Sequence, residues 1–211
     1  MGTYRIGILG SFSGKVGTVI GSSWNGIHYM RSLPRPSSKA PTEAQMLVRA
    51  RFALASGFVT PIRSLFNATY KSAVGQTGVN AATAQIISQG ITGTSLPVTL
   101  NYSQILISKG NLTGPSNGAA IAGTGSVAVS WENNSNSGNA KATDLAVTLV
   151  YNPVKLQYIY NLAGDARSTG TQNIALPTNF GGDTVQVWLA FISADGKAVS
   201  TSVFAGAPVV L

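Results

Sequence analysis

The apolar positions follow three different rules along the 211 residues of this chain. Over residues 1–33, large apolar side chains are interrupted every few positions by glycine, and Trp24-Asn25-Gly26-Ile27 sets an Asn-Gly pair between two apolar segments. A type I′ turn needs positive φ at both central residues, so the pair predicts a hairpin with strands near 16–23 and 27–32. Ser32 to Pro41, with three prolines and three serines, reads as an extended connector, because proline can continue neither a ladder nor a helix. Thr42-Glu43-Ala44-Gln45 has the form of a capping box and opens a helix. Phe52, Ala55, Val59, Ile62 and Phe66 recur at spacings of three and four and predict one buried stripe. Pro61 predicts a kink or a second helix start, and residues 80–89 another short helix. From about Leu96 the period changes to two. Ile105 and Ile107, then 127–131, 145–151, 156–162, Ile174 and Leu176, 185–191 and 199–203 predict about seven strands separated by turn signals. That spacing is the pattern of an antiparallel β-sandwich.

Charge divides the chain differently from hydropathy. The net charge is +8, and residues 1–75 carry nine basic side chains against one acid, Glu43, while the remainder carries five of each sign. A basic third beside a near-neutral remainder suggests segments under different demands. With 44% hydrophobic residues the chain can bury a core. No apolar run reaches the ~18 residues of a membrane helix. Ile6 to Phe12 is broken by Gly7 and Gly10 and so does not form a signal peptide. The expected location is cytoplasmic or particle-associated, with release by another route left open.

Candidate chemistry is sparse. The absence of cysteine removes disulfides, thiolate metal sites and thiol nucleophiles. His28 is the single histidine, and the first 131 residues offer only Glu43 as an orienting acid, so no catalytic or metal-ligating residue and no cofactor is assigned. Gly10 to Lys15 approaches a phosphate loop but has Leu9 and Val16 where the motif needs glycine and Ser or Thr.

The strand Ser126-Val127-Ala128-Val129-Ser130-Trp131 resembles the tryptophan-bearing second strand of fibronectin type III domains. Val185-Gln186-Val187-Trp188 falls where that family places a tyrosine-bearing strand pair, with Trp188 in place of the tyrosine. Over its whole length the chain also resembles an uncharacterised bacterial family known only as a domain of unknown function. The residues carrying that likeness are Gly14-Lys15-Val16-Gly17, Gly21 with Trp24 and Gly26, Tyr29-Met30-Arg31, Thr42-Glu43-Ala44-Gln45, Trp131-Glu132-Asn133-Asn134, Tyr151-Asn152-Pro153 and Ser193-Ala194-Asp195-Gly196. The resemblance implies no activity and carries over no functional residue.

The expectation is an α+β protein. A basic N-terminal β-hairpin arm plus helices, residues 1–95, precedes an antiparallel fibronectin/Ig-like β-sandwich, residues 96–211. Its expected role is non-enzymatic: a structural, self-assembling homo-oligomer such as a particle, phage-type or filament component. Phe12, Trp24, Tyr29 and Met30 are the candidate assembly contacts. Two alternatives stay open. One is a nucleic-acid or other polyanion module using Arg31, Arg35, Lys39, Arg49, Arg51 and Arg63. The other is carbohydrate recognition by the Asn- and Ser-rich sandwich loops, such as 133–139.

Overall fold

Asn25 and Gly26 adopt φ of +49° and +80° in the computed structural model, the conformation a type I′ turn needs. The turn joins two of the four strands of the arm: β1 (Gly2–Thr3), β2 (Gly14–Val16), β3 (Val19–Trp24) and β4 (Ile27–Ser32). They form one antiparallel sheet in the order β1-β4-β3-β2. The structure describes residues 2–3, 10–35, 38–71 and 75–211. Ile6, Ile8 and Leu9, expected among the apolar residues of the arm, lie outside them.

Helix α1 (Glu43–Val59) begins directly after Thr42, runs through a 3-10 turn at Thr60–Ile62 that holds Pro61, and continues as α2 (Arg63–Thr69). Helix α3 (Gly78–Gln89) starts on Thr77, whose hydroxyl accepts the Asn80 amide at 3.3 Å. The buried stripe departs from the sequence expectation at one position. Ala55, Val59, Ile62 and Phe66 are buried, but Phe52 is 57% exposed and Phe58 takes its place inside. At 100° per residue Phe52 stands about 120° around the helix from Phe58, so a face centred near Ala55 and Phe58 leaves it outside.

After β5 (Ile91–Thr92), β6 (Thr99–Leu100) and a 3-10 turn at Tyr102–Gln104, seven strands follow. They are β7 (Ser116–Gly123), β8 (Ser126–Glu132), β9 (Leu145–Asn152), β10 (Gln157–Asn161), β11 (Thr171–Ala175), β12 (Gln186–Ile192) and β13 (Val203–Gly206). They form a four-stranded sheet, β10-β9-β12-β13, and a three-stranded sheet, β11-β8-β7, both antiparallel. This is an antiparallel β-sandwich of two sheets. Ile105 and Ile107 are buried without joining a strand, and the last strand starts at Val203 rather than Val199. The unforeseen strand is β7. Its inward positions are Gly118 and Ala120, small because Val203 and Leu189 crowd that face, and its one large apolar residue, Ile121, is 67% exposed.

The four-stranded sheet is buried on both faces. Ala146, Val150, Val187, Leu189 and Phe191 meet Val127, Val129, Trp131 and Ile174 in the core between the sheets. The alternate residues Val147, Leu149, Tyr151, Trp188 and Ala190 meet Ala55, Phe58, Val59, Leu65, Phe66 and Ile86 of the helices. Double burial explains why β9 and β12 are continuous apolar runs. It also places the divide between compact units at residues 1–42 and 43–211. The expected boundary near residue 95 falls inside the second unit, because the helices share a core with the sandwich. Among the described residues no helix is long and apolar enough to cross a membrane.

Candidate functional site

Strand pairing sorts the candidate assembly residues onto opposite faces of the arm sheet. Trp24 pairs with Ile27, Ser22 with Tyr29 and Ile20 with Arg31, so these share one face. On the other, Gly21 pairs with Met30 and Ser23 with His28. Phe12 lies directly over Gly21: a Cβ there would stand 2.5 Å from both the Phe12 ring and its carbonyl, so only glycine fits. Tyr29 is half-buried. Phe12 and Met30 are more than a third exposed, while Trp24 is 66% and Ile27 57% exposed. Ile27, absent from the sequence-level set, is therefore part of the most exposed apolar pair of the sheet. Its position opposite Trp24 across an Asn-Gly turn was the available signal.

The basic candidates divide between the two compact units. Arg31, Arg35 and Lys39 belong to the first unit, and Arg49, Arg51 and Arg63 to the second. Arg49 and Arg51, two positions apart on α1, cannot share a helix face. Arg51 is half-buried and donates from Nη2 to the Ile87 carbonyl of α3 at 2.9 Å, a bond that competes with a role as a polyanion contact. Arg51→Ala is expected to lower stability by about 1.5 kcal/mol, the value of a hydrogen bond from a charged donor. Retention on a heparin column should not change. Reduced retention at unchanged stability would reinstate the surface role.

The asparagine-rich sandwich loop is likewise committed internally. Asn139 Oδ1 accepts from the Thr113 amide (2.8 Å) and hydroxyl (2.9 Å), and its Nδ2 donates to Asn111. Asn134 Nδ2 donates to the Gly114 carbonyl, and its Oδ1 accepts from Arg167 Nη1 at 2.6 Å. Arg167, fully buried in a loop between β10 and β11, is the residue that sequence reasoning missed. It pairs with Asp144 at 3.2 Å, donates to the Thr113 carbonyl at 2.8 Å and lies 3.8 Å over the Phe191 ring. Its own carbonyl accepts the Trp131 indole N–H at 2.8 Å. Burial pulls its pKa below the ordinary guanidinium value, and the Asp144 carboxylate counters that. Nothing local in the sequence marks a buried arginine, since arginine is ordinarily a surface residue.

The resemblance motifs acquire physical roles here. Asn152 Oδ1 accepts the amides of Val154 and Lys155 while its Nδ2 donates to Asp183 at 2.7 Å, bracing the β9–β10 hairpin. Asp195 accepts the Ser193 hydroxyl and the Lys197 amide, and these bonds hold its pKa below the usual carboxylate range. His28 sits in the ladder opposite Ser23. Among the described residues no three His, Cys, Asp or Glu side chains are grouped to hold a metal.

No curated protein matches the chain. Among solved structures, the fn3 domain of human collagen alpha-1(XX) chain is similar at 17% identity, covering 48% of this chain and 89% of its own, with a TM-score of 0.34. The model of a family of unknown function, DUF6266, matches residues 11–206, and with nearly its whole length covered the chain belongs to that family.

Proposed function

We propose that this is a non-enzymatic structural protein that assembles with copies of itself through its N-terminal arm. The observation that carries this reading is the exposure of large apolar side chains on the arm: Val16, Trp24 and Ile27 are each more than half exposed, and Phe12, Met30 and Leu33 more than a third. Covering each large side chain is worth ~1.5–3 kcal/mol, so a thin sheet carrying six of them favours association. The short outer strands β1 and β2 leave edge groups on which a neighbouring strand can pair. A second reading rests on Arg31, Arg35 and Lys39, all exposed in a unit without an acidic residue: the arm would neutralise a polyanion.

Sedimentation velocity across a concentration series, at low and high salt, separates the two. The proposal expects a concentration-dependent assembly that persists in salt. Replacing Trp24 and Ile27 with serine, or removing residues 1–40, should reduce it to a folded monomer. A wild-type chain that remains monomeric at high concentration would overturn the proposal. Nucleic-acid binding that collapses with added salt would favour the second reading.

A further inference from the structure

We infer that the outer edge of β10 is a self-pairing surface: in the assembly proposed above, two copies of the chain join their β10 strands antiparallel, centred on Ile159. The inference rests on the arm-driven reading. An edge of five residues is a weak contact by itself, and the arm supplies the local concentration that lets it form.

The order of residues along the edge is the first observation. Leu156-Gln157-Tyr158-Ile159-Tyr160-Asn161-Leu162 reads nearly the same in both directions. Two antiparallel copies in register on Ile159 therefore set Leu156 against Leu162, Gln157 against Asn161 and Tyr158 against Tyr160. A two-fold contact has to be self-complementary in this way. An edge shaped for an unrelated partner has no need of that symmetry.

Backbone geometry accommodates the same register. β10 stands at the end of its sheet and pairs on one side with β9. In β9 the Ala146 N–H and carbonyl both point to the β10 side, bonding the Asp165 carbonyl and the Gly164 amide. Directions repeat every second residue, so Thr148, Val150 and Asn152 point the same way and engage their partners Asn161, Ile159 and Gln157. The N–H and carbonyl of Tyr158 and Tyr160 consequently face outward, and among the described residues no other backbone group takes them up. Register on Ile159 sets Tyr158 opposite Tyr160, which satisfies all of these groups in both copies.

The side chains permit the approach. No residue from 156 to 162 is charged, whereas edges that avoid pairing typically carry lysine or proline. Lys155, the adjacent charge in the chain, is tied to Asp183. Gln157, Tyr160 and Asn161 are exposed, and Leu156 is 69% exposed. Asn161 Oδ1 accepts the Ala163 amide at 3.0 Å, leaving its NH₂ to donate to Gln157 of the second copy. On the helix-facing side Tyr158 stacks on Tyr151 at 4.5 Å, and Tyr160 of the second copy extends that row. With the arm, the chain then has two different ways to meet its copies, which growth beyond a dimer requires.

The chain has no cysteine, so single introduced cysteines report the register. Full-length Gln157→Cys and Asn161→Cys chains, mixed in equal amounts and exposed to oxidised glutathione, should form a disulfide-linked dimer, because Cα atoms of such a non-hydrogen-bonded pair lie about 4.5 Å apart. Each variant alone should cross-link about tenfold less, its twin positions standing ~13 Å apart along the strands. Gln157→Lys with Asn161→Lys sets lysine against lysine and should raise the concentration of half-assembly about tenfold or more. Gln157→Lys with Asn161→Glu sets opposite charges together and should return it to within a few-fold of the wild type. An assembly seen in sedimentation that gives no excess of the mixed cross-link, or equal effects of the two charge variants, would overturn the inference and leave the arm reading standing. A full chain that stays monomeric overturns both. Mixed cross-links that form equally well in chains also carrying Trp24→Ser and Ile27→Ser would uphold the edge pair and refute the arm as its carrier.

Discussion

A chain starting at residue 43 is expected to unfold in one cooperative transition, and a chain starting at residue 96 to show none. The reason lies on the helix side of the four-stranded sheet. Val147, Leu149, Tyr151, Trp188 and Ala190 are covered by Ala55, Phe58, Val59, Ile62, Leu65, Phe66 and Ile86. Each large side chain withdrawn from that layer forfeits ~1.5–3 kcal/mol, and several together exceed the roughly 5–15 kcal/mol that separates folded from unfolded domains. The shorter chain would also place a stacked pair, Tyr151 and Tyr158 at 4.5 Å, in water beside Trp188. Urea titrations followed by circular dichroism and tryptophan fluorescence decide the matter. A monomeric 96–211 chain with a sharp, coincident transition in both signals would show that the sandwich is independent of its helices.

Asp144→Ala should cost about 3–5 kcal/mol, because it leaves the Arg167 guanidinium buried without its counter-charge. Arg167 is enclosed by Phe191, Thr113, Asn134 and Asp144 and cannot turn to solvent without opening the loops it joins. Replacing both partners, Asp144→Ala with Arg167→Met, should recover a good part of that loss, since an apolar side chain of similar length needs no partner. With Arg167→Met alone as the fourth corner, the double-mutant cycle gives the coupling of the pair, measured by urea unfolding at constant m-value. If the single and double variants are equally destabilised, or the single variant loses less than about 1 kcal/mol, the pair is not the brace described here.

How much of this was legible depends on how local the cause is. The Asn25-Gly26 turn, the helix start after Thr42, the break at Pro61 and most strands of the sandwich follow from residues adjacent in the chain. Trp131 was readable as a core residue, and it is 5% exposed against Phe191. Strand β7 was not legible, because its inward residues are small to admit Val203 and Leu189, which lie some 70–90 positions later. Trp24 was marked by its turn, while Arg51 was read as surface because nothing nearby records the Ile87 carbonyl that receives it.

What the amino-acid order determined by itself is therefore most of the elements, the basic and glycine-rich character of the first third, and the sandwich pattern of the last hundred residues. Only the tertiary structure decided which faces those elements share. The runs at 145–151 and 186–192 alternate between two cores, one under the helices and one under the second sheet. Period-two reasoning assigns a strand one buried face and stays silent about the other. Distance in sequence likewise separates Arg167 from Asp144 and from the Thr113 carbonyl to which it donates. Those pairings arise because burial and hydrogen-bond satisfaction are met between elements, and the chain carries no local mark of which distant group will meet them.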